Sequence, residues 1–380
     1  METVQRVLKG HPGLVHVTIG QVGAAALGAV FWFVLAGLLN PGDYGQINWL
    51  ISIAMFASTF CVLGLGRTIV TYYPKEGSEE FVGGAVAIVL VASLAVGIAM
   101  GLLVEPLVGL LIVGLSLFSM TISYEFGRRR YRRYMWISLG AKLAVLPLAV
   151  VLYFILGFPG VLLSYAIPLL VFGLLSLRHV RSNPGINEVR GKADFALKSF
   201  GVDITTGSTG LLDKILIGGF FGMAMLGFYQ LAYQIFVLLS VLPGILFSYL
   251  LPEKSAGAKT KEVETLGILA SVALAVSTVL LSPIIIPRVF PSFAESVPLI
   301  QIMSLGVIPF TIAVTRMSGL YAHEKPGAVL ISYLFAIAAG IVGILTLGRI
   351  FGGVGLAVSA VLLQSTLAVS LIFFEKRANS

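Results

Sequence analysis

The chain has 380 residues, 58% of them hydrophobic and only 11% charged, with a mean hydropathy of +1.00. A soluble domain carries about a quarter charged residues and roughly half apolar ones, so this composition excludes a cytosolic enzyme, a secreted domain and a nucleic-acid-binding protein. The net charge of +8 falls mostly in short clusters between apolar runs, which points to the anionic inner face of a membrane, and the single cysteine, Cys61, excludes an intramolecular disulfide and any cysteine-rich metal site.

A helix needs about 20 mainly apolar residues to cross the hydrocarbon core. The sequence offers twelve such stretches, near 17–39, 45–66, 82–104, 106–125, 135–156, 160–178, 199–221, 226–251, 264–286, 298–320, 326–348 and 353–373. The runs are continuous and do not alternate with period two, so the expected class is an all-α polytopic membrane protein and not a barrel. The stretch METVQRVLKGHPGLVHV before the first span is short and amphipathic and does not read as a cleavable signal peptide.

Orientation follows from the basic residues. With the N-terminus in the cytoplasm, only Arg288 and Arg349 of the 25 basic residues fall outside, and Lys142, Lys214 and Arg316 fall within spans. All the others lie on the inner side, including the run Arg128-Arg129-Arg130-Tyr131-Arg132-Arg133, which is most simply a positive-inside anchor. Both termini are therefore expected in the cytoplasm of a multi-pass plasma-membrane protein.

The longest hydrophilic stretch, 179–198, contains the turn signal Asn183-Pro184-Gly185 and lies between spans 6 and 7. It suggests a six-helix N-terminal lobe (1–178), a basic cytoplasmic linker (179–198) and a six-helix C-terminal lobe (199–380), as in a parallel internal duplication. Short matches support the idea: Gly37 and Gly45 with Gly219 and Gly227 at an offset of 182, and Phe158-Pro159-Gly160-Val161 with Phe351-Gly352-Gly353-Val354 at an offset of 193. Pro147, Pro168, Pro243 and Pro309 lie well inside predicted spans, where a proline removes a backbone hydrogen bond and can serve as a hinge.

The outer connections are too short to build an extramembrane catalytic pocket. The inner ones carry no GxxxxGK[ST] loop or HExxH motif, and His11, His16, His179 and His323 lack metal-ligand spacing. The expectation is a protein without enzymatic activity, cofactor or metal.

Polar groups within spans are costly and mark function. Read as one helix, span 7 places Asp203, Gly207, Gly210 and Lys214 in a sector of about 60°, with Thr206 on its flank. Lys214 lies roughly 17 Å along that helix from Asp203, too far to pair, and Asp213 could pair with a neighbouring span. A cavity-lining face competes here with a packing face. Lys142, Arg316 and Arg67 are further cationic candidates; the first can snorkel, and Arg67 closes span 2. Tyr229, Gln230, Tyr233 and Gln234 form two i,i+4 pairs on span 8, suited to sugar hydroxyls or to bonds between helices.

The segment Ala36-Gly37-Leu38-Leu39-Asn40-Pro41-Gly42-Asp43-Tyr44-Gly45, with Leu63-Gly64-Leu65-Gly66-Arg67 after it, resembles the opening of the polysaccharide and oligosaccharide flippases of the MATE-like (MOP) superfamily. Asp213-Lys214-Ile215-Leu216-Ile217-Gly218, Gly227-Phe228-Tyr229-Gln230-Leu231-Ala232-Tyr233 and Gly352-Gly353-Val354-Gly355-Leu356-Ala357 are similar to the second half of the same family. The resemblance implies two six-helix lobes around a central cavity and alternating access. It further implies movement of a lipid-linked oligosaccharide on polyprenyl phosphate or pyrophosphate from the cytoplasmic to the outer leaflet. Its implied partners are the lipid-linked saccharide, membrane lipids and polysaccharide polymerase or glycosyltransferases, with no nucleic acid. A dense cationic cluster within the spans, as some relatives have, is missing from this sequence. A MATE-type cation-coupled drug or metabolite antiporter would favour Asp203 and Asp213. A major-facilitator transporter should carry a Gly…Asp-Arg…Gly-Arg-Arg loop that RTIVTYYPKEGSEE lacks, and a membrane scaffold should lack the polar face of span 7.

Overall fold

The computed structural model describes residues 12–180, 185–208 and 210–379, so the start of the chain with His11, and the Asn183-Pro184 part of the turn signal, lie outside the described residues. Among the described residues all regular structure is helical. In chain order the helices are α1 (Pro12–Leu38), α2 (Pro41–Val62), α3 (Leu65–Glu76), α4 (Glu79–Leu103), α5 (Pro106–Gly127), α6 (Tyr131–Leu156), α7 (Phe158–Gly173), α8 (Ile186–Gly191), α9 (Ala193–Ser208), α10 (Leu212–Phe221), α11 (Met223–Leu239), α12 (Val241–Ser255), α13 (Lys261–Val289), α14 (Val297–Leu305), α15 (Val307–Ala322) and α16 (Pro326–Asn379). Short 3₁₀ turns, Leu174–His179 and Pro291–Ser296, follow α7 and precede α14.

Ten helical stretches among the described residues are long and apolar enough to cross a membrane. Two departures from one helix per span separate this number from twelve. The 54-residue α16 turns at Gly352 (φ 58, ψ −135) and so holds two passes. Predicted span 7 is not one helix: α9 ends at Ser208 and α10 starts at Leu212. The single polar stripe from Asp203 to Lys214 is therefore corrected, because a helical wheel loses its phase at a break.

Proline explains two further interruptions. Its ring clashes with the carbonyl four residues earlier. Pro243 and Pro309 have Leu239 and Leu305 at that position, and α11 and α14 end at those residues. Pro147 and Pro168 instead lie within α6 and α7.

The chain divides into two compact units: one from the described parts of Met1–Trp32 and Leu50–Gly207, the other from Phe33–Trp49 and the described parts of Ser208–Ser380. In the first unit α4 shows how an apolar helix sorts its faces. Val82, Val86, Val89, Ser93 and Gly97 are buried, while Val91, Leu94, Ile98 and Leu102 are exposed, a face suited to lipid. Small residues let helices approach closely: a Cβ on Gly97 would lie 2.9 Å from the Gly109 carbonyl oxygen of α5. The segment expected as a linker is folded onto this unit. Gly185 N donates to the Glu80 carbonyl (3.1 Å), Ser78 Oγ to Glu188 (2.6 Å), and Lys192 pairs with Glu76 (2.8 Å). Val189 and Ala196 lie in the same core as Ile69, Phe81 and Tyr124.

The second unit takes in the last turns of α1, from Phe33, and then the first turns of α2. Asn40 caps them: its Oδ1 accepts from Asp43 N (2.9 Å) while its Nδ2 donates to the Asp43 carboxylate (2.7 Å), with Pro41 at the first helical position. Gly45 then packs on α11 so closely that a Cβ would collide with the Met223 carbonyl, and Gly227 likewise with the Pro41 carbonyl. The two segments quoted for the family resemblance thus touch. Trp49 Nε1 completes the contact, donating to the Ile215 carbonyl of α10 (3.1 Å).

The two turns compared at an offset of 193 match better at 195. Gly157 (φ 67, ψ −140) and Gly352 (φ 58, ψ −135) share one backbone conformation. Three residues on, a Cβ at Gly160 or Gly355 would collide with the carbonyl of Leu152 or Leu347. Side-chain similarity had set the register two residues off, because the repeated element is a backbone turn.

Candidate functional site

In the first unit, Leu63 and Gly64 both adopt positive φ (52 and 70) between α2 and α3. Arg67 therefore does not close span 2; it stands in the first turn of a separate helix, α3. Gly64 also admits α9, since a Cβ there would lie 2.6 Å from Phe200 N and would collide with the Ala196 carbonyl. That approach brings Asp203 to Arg67, with Nε 2.5 Å from Oδ1 and side chains 53% and 25% exposed. The pair lines an open cavity of about 830 Å³ together with Ser58, Thr59, Ser119, Ser123 and Lys198. Lys198 is itself paired with Asp194 (2.6 Å). The Thr206 side chain lies outside the described residues.

Lys142 in α6 donates to Tyr165 Oη of α7 (2.9 Å) and stands 4.8 Å from that ring's centroid. A half-buried ammonium over an aromatic face is held by both interactions. It is the one in-span lysine of this unit.

Sequence reasoning missed a polar cluster where α4, α5 and the turn after α7 meet. Glu79 accepts from Tyr73 (2.6 Å), Tyr124 (2.9 Å) and Arg128 (3.1 Å), and His179 Nδ1 lies 3.0 Å from its second oxygen. Burial, and then the bond to Glu79, pushes the Tyr73 hydroxyl up from its ordinary pKa. Beside this cluster the fully buried Glu125 meets Arg178 (3.0 Å) and Arg133 (3.5 Å). Part of the arginine run therefore neutralises a buried acid. A carboxylate directly before the run, in Tyr124-Glu125-Phe126-Gly127-Arg128, was the available signal.

In the second unit Asp213 accepts from Tyr229 Oη (2.9 Å) and from Lys214 N (2.8 Å), and Lys214 Nζ stands 4.5 Å from the centroid of the Tyr233 ring. The cavity beside Asp213, Tyr229, Tyr233, Ser359 and Gln364 measures only about 30 Å³. That is room for a water or a bare cation and not for a head group. Gln230 and Gln234 are buried, and Gln230 Oε1 finds no hydrogen-bond partner among the described residues. Arg316 pairs with Glu375 (3.2 Å), and the neighbouring Lys254 with Glu264 (2.9 Å). Glu375 thus faces the Arg316 charge, while Arg316 Nε is buried without a hydrogen-bond partner among the described residues. The sequence candidates separate into an open group around Arg67 and Asp203 and a closed group around Asp213 and Lys214.

No protein-family model matches the sequence, and no curated protein matches it either. Solved structures do match in shape. The chain is similar to a lipid II flippase MurJ in an inward closed conformation, with TM-score 0.77 and 12% identity over 95% of this chain and 87% of that one. It is also similar to an inward-facing multidrug resistance MATE family transporter of the MOP superfamily, with TM-score 0.64 and 12% identity over 96% and 98%. A MATE transporter from Vibrio cholerae matches with TM-score 0.55 and 14% identity over 100% and 98%. At such identities the likeness concerns the fold. These neighbours are membrane transporters, and the chain is a multi-pass membrane protein with the MATE-like twelve-helix fold that MurJ and the MATE transporters of the MOP superfamily share.

Proposed function

We propose that this chain is a flippase that moves a lipid-linked oligosaccharide, carried on polyprenyl phosphate or pyrophosphate, from the cytoplasmic to the outer leaflet for polysaccharide or glycoconjugate biosynthesis. The observation that carries the reading is the half-exposed Arg67 at the wall of the 830 Å³ cavity, held by the Asp203 carboxylate and surrounded by hydroxyl side chains. A guanidinium binds phosphate through paired, charge-assisted hydrogen bonds. Asp203 keeps Arg67 neutralised until an anion replaces it. Ser58, Thr59, Ser119 and Ser123 supply hydrogen-bonding groups for sugar hydroxyls, and the polyprenyl tail need never leave lipid. The likeness to a lipid II flippase supports the same reading. Alternating access, cytoplasmic termini and cooperation with polymerase or glycosyltransferases belong to this proposal.

A second reading, a MATE-type cation-coupled drug or metabolite antiporter, is favoured by Asp213. A half-buried carboxylate beside a cavity sized for one water or one bare cation suits ion coupling better than head-group binding.

The deciding experiment is mass spectrometry of lipids co-purified in native nanodiscs, for the wild type, Arg67→Ala and Lys214→Ala. A polyprenyl-linked saccharide enriched in the wild type and depleted in Arg67→Ala is the expected result. Bulk phospholipid alone in every sample, together with cation-dependent dye efflux from proteoliposomes, would establish the antiporter instead.

A further inference from the structure

The arginine run at 128–133 does two different things. Arg128 and Arg133 are engaged by Glu79 and Glu125. Arg129, Arg130 and Arg132 are exposed and have no carboxylate within 4.0 Å among the described residues. They line a cavity of about 740 Å³ whose other walls include Tyr131, Trp136 and Phe172. Arg129 has a positive φ of 57, so the chain reverses there between α5 and α6 and gathers these guanidiniums at one spot. Arg130 occupies the N-cap of α6 and provides no cap hydrogen bond. A cation at the positive end of a helix dipole is the unfavourable sign, so an anion bound beside Arg130 would be stabilised by both the side chain and the helix end.

The apolar side of the cavity indicates what brings that charge. Trp136 is 58% exposed, and Leu143 and Phe154 are exposed further along α6. At about 100° per residue these three fall on one face of the helix. An indole beside guanidiniums, with an aliphatic and aromatic track running away from them, matches a phosphate at head-group level with an acyl chain beneath it. A free phosphate would use the arginines and leave the track bare. Gly13 of α1 lines the cavity as well, packed so closely on the Tyr131 ring that a Cβ would lie 2.5 Å from it.

We propose that Arg129, Arg130, Arg132 and Trp136 form a binding site for an anionic phospholipid of the leaflet at this end of the first unit. The basic-residue distribution predicts that leaflet to be cytoplasmic. The site is separate from the Arg67 cavity and does not depend on the transported substrate.

The test uses the full chain in nanodiscs of mixed phosphatidylcholine and phosphatidylglycerol, with bromine on the acyl chains of one lipid or the other. The Trp136 signal is the difference in fluorescence between the wild type and Trp136→Phe. Brominated phosphatidylglycerol should quench it more than brominated phosphatidylcholine at equal mole fraction. R129Q/R130Q/R132Q should weaken that preference by at least about fivefold, the surface worth of one basic residue. The charge-retaining R129K/R130K/R132K should preserve most of the preference, which separates loss of charge from loss of fold. Equal quenching by the two lipids in the wild type overturns the proposal, as does an undiminished preference in the glutamine variant. Loss of the preference on adding millimolar inorganic phosphate would assign the arginines to a free anion and overturn the lipid assignment.

Discussion

Gly45 and Gly227 each sit where a methyl group would strike the backbone of the other's helix, Gly45 at the Met223 carbonyl and Gly227 at the Pro41 carbonyl. The contact is reciprocal, and an offset of 182 relates both pairs, 45 to 227 and 41 to 223. Residues that an internal repeat would equate therefore meet face to face. Asn40 and Gly222, the residues before the two helices, obey the same offset. The glycines are required by close approach, and the turn before them by capping at Asn40 and by an extended positive-φ conformation at Gly222 (φ 88, ψ 163).

Gly45→Ala and Gly227→Ala should each lower the unfolding temperature in detergent, because overpacking against backbone costs about 1–3 kcal/mol. Gly37→Ala and Gly219→Ala serve as controls from the same repeated signature, since a Cβ at either meets nothing within 4 Å. Thermal unfolding followed by size-exclusion chromatography should separate the two sets. Equal losses in all four would mean that the close approach is not what those glycines serve.

Asp203 competes with any phosphate for Arg67, so Asp203→Asn should tighten binding of a polyprenyl-phosphate saccharide. Arg67 is half exposed and Asp203 a quarter exposed, and exposed ion pairs contribute about 0.2–1 kcal/mol, so the gain should be roughly 1.4-fold to fivefold. Arg67→Ala should weaken binding by more than that, with unchanged expression. Titration of the lipid-linked saccharide into nanodisc-held protein checks both. Tighter binding in Arg67→Ala would remove Arg67 from the site.

Gly352 turns α16 in a conformation that side-chain-bearing residues avoid, so Gly352→Ala should destabilise by about 1–3 kcal/mol. Gly157→Ala should do the same, because its φ and ψ are nearly identical. Gly327, within α16 and with open space around it, should tolerate alanine without loss. Unfolding temperatures of the three variants provide the check. A harmless Gly352→Ala would contradict the turn.

Much of the fold was legible because a lipid environment demands long apolar helices, and hydropathy alone counts them. What hydropathy could not register was backbone geometry. The break between Ser208 and Leu212 carries no proline, only the hydroxyl and glycine residues of Thr205-Thr206-Gly207-Ser208-Thr209-Gly210, which read as a polar helix face, so a continuous helical wheel joined Asp203 to Lys214 wrongly. The same blindness hid the Leu63–Gly64 reversal that gives Arg67 its own helix. Candidate cations were found by their cost in lipid, but the side chains that hold them come from other helices. Glu375 for Arg316 and Tyr165 for Lys142 could be named only once the chain was folded. Glu125 was passed over because arginines beside it read as an anchor.

Asp213 offers the sharpest division between the two functional readings. Its carboxylate accepts from Tyr229 Oη, so Asp213→Leu leaves a buried hydroxyl without its acceptor and should cost about 1–3 kcal/mol in stability. Asp213→Asn keeps an oxygen for that bond while removing the charge, and should restore most of the unfolding temperature. If the closed cavity beside Asp213 only packs the second unit, Asp213→Asn should also retain flipping of a lipid-linked saccharide in proteoliposomes, which is the expected outcome. If the charge couples a cation to transport, the asparagine variant will be stable and inactive, and wild-type transport will follow the cation gradient. Stability and transport therefore have to be measured on the same preparations, since only their separation distinguishes a structural carboxylate from a coupling one.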